Sequence, residues 1–252
     1  MSLDDHTVLV TGSGAGVGRG IAMALASDGA HVIVATRSEN GLAVANEITA
    51  RGDAATWARC DVTDRDTVIG AVDLAVATTG RLDAVVHNAT SNASSQPHDL
   101  AGVDRSLWND HFSVSLRGAH HCAVSAFDAL QKQGGTFIVM TSPAGIEGSA
   151  TLPLYATMKG ALRGFAKSLA REWARYGITV NVVSPLAYSP AMTAAIAAEP
   201  AMEERLSRRI PLGRIGDPER DIGAAVAWLV GPAARFVTGQ TLGIDGGHYT
   251  NL

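Results

Sequence analysis

Short, nearly continuous apolar runs alternate along the chain with longer stretches whose apolar residues recur three and four positions apart. The runs at 7–10, 31–36, 54–60, 82–87, 135–140, 178–183 and 241–244 are rich in Val, Ile and Ala and carry little charge. A strand reads this way when both faces of its sheet are covered, so they predict seven buried strands. Between them, 19–27, 39–51, 64–79, 108–130, 154–176 and 218–230 have helical periodicity. Gly52 and Gly177 follow two of these as stop signals, and Pro218 opens another at the favoured first turn. Residues 190–209 form a helical excursion interrupted by Pro200. Alternation without a linker predicts a doubly wound, mainly parallel α/β sheet, one domain over 1–252.

Composition narrows the function classes. Of 252 residues 46% are apolar, 17% charged and only 5% aromatic, which suits tightly packed helices on a buried sheet rather than a base-stacking surface. A formal net charge of −4 gives no electrostatic reason to bind nucleic acid or an anionic membrane. No apolar run approaches the ~20 residues that span a bilayer. Residues 1–6 carry acid and no apolar stretch, unlike a signal peptide, so a cytoplasmic location is expected. Cys60 and Cys122 make no disulfide framework and read as small buried residues.

The first strand runs into Thr11-Gly12-Ser13-Gly14-Ala15-Gly16-Val17-Gly18, directly before a helix. Glycines there let backbone N–H groups approach a phosphate at the positive helix N-terminus. The second strand ends in Thr36 and Arg37, where an NAD-binding chain carries an acid for the ribose 2′-hydroxyl. The missing acid and the guanidinium, well suited to a 2′-phosphate, favour NADP(H) over NAD(H). Asp61, beside Val62, is a candidate adenine contact or a cap for the helix beginning near Asp64. Asn88 and Ala89 follow the fourth strand, at the carboxyl edge where such sheets bind ligands. Tyr155 and Lys159 stand four apart on one predicted helix and so share a face. A cation beside a phenol lowers its pKa, which makes Tyr155 a candidate proton donor and acceptor.

These separated features together resemble the short-chain dehydrogenase/reductase family over essentially the whole chain. The glycine turn, Asp61-Val62, Asn88-Ala89, Ser142 thirteen residues before Tyr155, Lys159, the segment 181–185 and the tail from Thr238-Gly239-Gln240 to Asp245-Gly246-Gly247 match in order and spacing. The resemblance implies a Rossmann-like fold and hydride transfer between nicotinamide and a carbonyl or secondary alcohol carbon. Tyr155 would be the general acid/base, Lys159 would lower its pKa and hold the nicotinamide ribose, and Ser142 would bond the substrate oxygen. Gly12, Ser13, Gly14, Gly16, Val17, Gly18, Thr36, Arg37, Asp61, Val62, Asn88, Ala89, Pro185, Leu186 and Tyr188 would line the cofactor site. A homodimer or homotetramer is expected, with the two long helices as dimer faces.

The chain also departs from the family pattern. Ser115 stands where the family has an Asn that holds a relay water beyond the Lys, and it is the expected relay member here. His87 replaces the first Asn of the Asn-Asn-Ala-Gly strand end, and Thr90 replaces its Gly. Leu186 and Pro190 replace a Gly and a Thr. Tyr188, Met192, Asn92 and His98 overhang the site as candidate substrate contacts, with Leu186 and Ala144 making the pocket mainly apolar. The histidines, including His111, His120 and His121, lack metal-ligand spacing; adjacent helical residues point ~100° apart, so no metal is expected. Two other functions compete. A 3-oxoacyl-thioester reductase would want a basic surface for an acyl carrier, and none stands around 91–98. A non-catalytic NADP-binding module would explain Ser115, Thr90, Leu186 and Pro190 but has no need of Ser142, Tyr155 and Lys159 together.

Overall fold

The structure is a computed structural model that describes residues 2–250. Its strands are β1 (Thr7–Thr11), β2 (His31–Thr36), β3 (Ala55–Arg59), β4 (Ala84–His87), β5 (Thr136–Met140), β6 (Thr179–Pro185) and β7 (Thr241–Ile244). All pair in parallel, in the order β3-β2-β1-β4-β5-β6-β7. The helices are α1 (Gly16–Ser27), α2 (Asn40–Ala50), α3 (Arg65–Thr79), α4 (Arg105–Phe112), α5 (Gly118–Gln133), α6 (Ala144–Glu147), α7 (Pro153–Trp173), α8 (Pro190–Ala198), α9 (Ala201–Ser207) and α10 (Ala224–Val230).

Successive strand residues face opposite sides, so an entirely apolar strand must be covered twice. Val8 and Val10 pack with Ile21, Val44 and Val226 on the side of α1, α2 and α10. Leu9 lies opposite, with Val68, Val85 and Leu162 on the side of α3, α5 and α7. Each such fully buried side chain contributes about 1.5–3 kcal/mol against its exposed state. Strand order reverses between β1 and β4, which pair with Thr11 beside His87. At that crevice the carboxyl ends of the strands carry their functional residues.

Four elements differ from the expectation. The long helix starts earlier, because Asp104 Oδ1 accepts the Leu107 N–H at 2.7 Å and caps α4. It continues through a π-helical turn at Ser113–Arg117 into α5, so its path widens in the middle. The excursion after β6 is split into α8 and α9, with Pro200 as the cap that begins the second. The helix after Pro218 opens with a π-helical turn, Pro218–Gly223, whose first N–H groups are taken by Asp217. The short α6 after Ser142 has too few residues to show a period.

Candidate active site

The cofactor edge is built on the β1–α1 turn. Gly12 has φ +65°, and a Cβ there would lie 2.9 Å from Ala89 Cα, so only glycine lets the turn pass the end of β4. Asn88 ties the two together, its side-chain amide donating to the carbonyls of Thr11 and Gly12 at 3.2 and 3.0 Å. The first turn of α1 has no side-chain cap and no acidic residue, so its N–H groups are left for an anion. An uncapped helix start of this kind suits a dinucleotide pyrophosphate, with Gly14, Gly16, Val17 and Gly18 the residues that would hold it. Ser13 contributes backbone only, since its buried hydroxyl donates to Val10 O at 2.7 Å.

The predicted adenosine contacts divide. Arg37 is exposed and makes no ion pair among the described residues. Thr36 is buried, and its hydroxyl already donates to Ser38 O and accepts from Trp57 Nε1. Asp61 Oδ1 accepts from the N–H and hydroxyl of Thr63 at 3.0 and 2.8 Å. Asp64, not Asp61, caps α3. Val62 is buried against Gly118, and its carbonyl accepts from His121 Nδ1 at 2.9 Å. His120 is exposed, its ring centre 6.2 Å from that of His121.

Ser142, Tyr155 and Lys159 converge beyond β5. Thr141 Oγ1 donates to the Lys159 carbonyl at 2.8 Å, which docks α7 on the end of β5. Lys159 Nζ donates to Met140 O at 2.8 Å and lies 5.6 Å from the Tyr155 ring centre. A Cβ on Gly145 would meet the Lys159 backbone carbon at 2.6 Å, so α6 packs directly on α7 behind Ser142. Lys159 is 4% exposed, and burial lowers its pKa to about 8. With the protein's own groups alone, burial raises the phenol above its ordinary value, and the hydrogen-bonding Ser142 hydroxyl pulls it back only in part. Thr141 was not singled out from the sequence. Its signal was a polar residue at the carboxyl end of an apolar strand.

The remaining residues frame the cleft. Pro185 ends β6, and Leu186 N–H donates to Ile244 O at 3.0 Å. Pro190 rests over Gly16, its Cδ 2.8 Å from where a Cβ would be. Tyr188 is turned to α9, its hydroxyl donating to Glu203. His98 N–H donates to Thr151 O at 3.0 Å, holding the loop after β4 against the entry to α7. Ser115 is buried inside the π-helical turn, where its carbonyl accepts from His87 Nε2 at 3.0 Å.

A dinucleotide cradle at the switch point of a seven-stranded parallel sheet, with Ser, Tyr and Lys at its rim, defines a class of oxidoreductase. The chain belongs to the short-chain dehydrogenase/reductase family: a family model described as enoyl-(acyl carrier protein) reductase matches residues 12–249. It is 35% identical over 246 residues to a 3-oxoacyl-(acyl-carrier-protein) reductase of Staphylococcus aureus, covering 96% of this chain and 98% of that one. Gluconate 5-dehydrogenase of Burkholderia cenocepacia J2315, solved with NADP and tartrate, is 31% identical with a TM-score of 0.88, covering 98% of this chain and 96% of that one. The 3-ketoacyl-(acyl-carrier-protein) reductase of Brucella melitensis, solved with NADH, has a TM-score of 0.88 at 29% identity, covering 98% and 99%. The chain is thus an oxidoreductase of a carbonyl or CH–OH carbon with a nicotinamide cofactor. Among the described residues, no helix is long and apolar enough to cross a membrane.

Proposed function

We propose that this chain is an NADP(H)-dependent carbonyl reductase and secondary alcohol dehydrogenase in which Tyr155 is the general acid/base. The observation that carries the reading is the convergence of Ser142, Tyr155 and buried Lys159 at the strand edge beside the uncapped α1. The nicotinamide supplies the hydride in reduction and accepts it in oxidation. Tyr155, a neutral phenol at pH 7 by the direction of its shift, gives its proton to the carbonyl oxygen as negative charge develops there. Ser142 donates to the same oxygen and so stabilises that charge. Lys159 holds a cation behind the phenol and steadies the phenolate left after proton transfer. Ser115, in the π-helical turn that packs on α7, is proposed as the relay member through its hydroxyl.

Preference for NADPH rests on exposed Arg37 and on the lack of a carboxylate at Thr36. Gly12, Ser13, Gly14, Gly16, Val17 and Gly18 cradle the pyrophosphate. Asp61 and Val62 border the adenine, Asn88 and Ala89 the ribose side, and Pro185, Leu186 and Tyr188 the nicotinamide side. One domain spans 1–252, acts in the cytoplasm and assembles as a homodimer or homotetramer. Trp108, Val124 and Phe236, exposed at 42%, 39% and 104%, support faces covered by further copies.

Tyr155→Phe tests the mechanism. Turnover should fall at least about a hundredfold while NADPH binding persists. Undiminished turnover would sink it. A 3-oxoacyl-thioester substrate is the second reading, favoured by the Staphylococcus aureus relative, and a panel of ketones, aldehydes and 3-oxoacyl thioesters separates the two.

A further inference from the structure

Strand β4 ends in His87, 1% exposed, and both ring nitrogens have partners. Nε2 lies 3.0 Å from the Ser115 carbonyl oxygen, and Nδ1 lies 3.3 Å from Thr11 Oγ1. A carbonyl only accepts, so Nε2 carries the proton and Nδ1 is bare. The Thr11 hydroxyl therefore donates to Nδ1. Its oxygen is then free to accept the N–H groups of Asn88 and Ala89, at 3.1 and 3.2 Å. One imidazole thus orients a threonine that holds the cofactor edge and grips the turn between α4 and α5.

The grip is on main chain. Within the π-helical turn the Gly118 N–H is shared between the carbonyls of Ser113 and Ser115, and the second lone pair of the Ser115 oxygen takes the imidazole proton. A Cβ on Gly118 would lie 3.2 Å from His87 Cε1 and 2.8 Å from Val62 Cγ2, so glycine permits this approach. The same turn packs on α7, the helix of Tyr155 and Lys159. The titratable neighbours are Lys159 on α7 and Cys122 on α5, whose Sγ is 3.7 Å from Nδ1. Burial, then the Lys159 charge, lowers the His87 pKa to about 3, so the ring stays neutral and the tautomer is single. His87 and Ser115, two departures from the family pattern, are physical partners.

We propose that neutral His87 is a positioning residue that sets the Ser115 turn behind Lys159 and, through Thr11, the cofactor edge at Asn88 and Ala89. The inference rests on the roles given above to Tyr155 and Lys159.

The test compares the parent with Tyr155→Phe, His87→Phe, His87→Gln and Thr11→Val, each checked by thermal melting. Carbonyl reduction and NADPH binding are then measured. Phe keeps the ring's bulk without its nitrogens, and Gln returns an N–H donor toward Ser115. In His87→Phe, kcat should fall about tenfold with substrate KM within about twofold, and the NADPH Kd should rise about fivefold. His87→Gln should recover most of kcat. Thr11→Val should raise the NADPH Kd about fivefold, and it tests the Thr11 arm even where His87→Phe fails to fold. Parent-like values in His87→Phe and Thr11→Val, or equal kcat losses for Phe and Gln, would overturn the inference. Full turnover in Tyr155→Phe overturns the proton-transfer reading instead, whatever His87 does.

Discussion

Lys159 Nζ donates to the Met140 carbonyl at 2.8 Å and stands 5.6 Å from the centre of the Tyr155 ring. The ammonium is therefore anchored to the end of β5 and faces the phenol across its ring. Burial acts on both groups in the direction of neutrality, raising the Tyr155 pKa and lowering that of Lys159. The pair starts reduction as a proton-bearing phenol beside a cation that costs free energy to bury.

That cost is measurable. The folded Lys159 pKa of about 8 lies below its ordinary 10.5, so between these values the unfolded chain binds more protons and stability rises with pH. Below about pH 8 both states are protonated and the full penalty, about 3 kcal/mol, applies. Lys159→Met, which also loses the Met140 bond, should be about 1–2 kcal/mol more stable than the parent at pH 7 by urea unfolding, and inactive. A less stable variant would refute the buried-cation account.

Reductive turnover should be flat below pH 8 and decline above it as Lys159 loses its proton. The profile of kcat against pH, taken at saturating cofactor, checks this. A profile unchanged to pH 9.5 would separate Lys159 from the proton transfer.

Arg37 should favour NADPH. In Arg37→Ala, the NADPH Kd should rise about tenfold with NADH binding unchanged, since a charge-assisted phosphate contact contributes about 1.5–3 kcal/mol. Nucleotide-fluorescence titration reads both constants. Equal NADPH and NADH affinities in the parent would remove the basis for the preference.

Two glycines of the cofactor turn should respond differently. Gly12→Ala puts a Cβ at positive φ and 2.9 Å from the Ala89 backbone, and should cost about 2 kcal/mol or more with loss of cofactor binding. The three atoms nearest the Cβ of Gly14→Ala all belong to the exposed Asn40 side chain, which can move aside, so melting should change little. Equal destabilisation would mean that the turn is not held by β4.

The strands were legible because a buried parallel strand is apolar at every position, and the site because Ser142, Tyr155 and Lys159 keep a spacing that one helix and one strand end impose. The π-helical turn at Ser113–Arg117 was not legible. Its periodicity differs from an α-helix by one residue in a single turn, and the side chain that meets it, His87 at the Ser115 carbonyl, lies 28 residues away. Ser13 reads as a ligand contact from its place in the glycine turn, and Thr36 from its place where an NAD-binding chain carries an acid. Only the folded chain shows them spent on Val10 O, Ser38 O and Trp57.

The sequence alone determined the sheet, the order of its elements and the residue types brought to its carboxyl edge, because local periodicity and turn chemistry encode these. Tertiary structure decided the ionisation of those residues. Burial raises the Tyr155 pKa and lowers that of Lys159, and burial is set by every element packed around the pair.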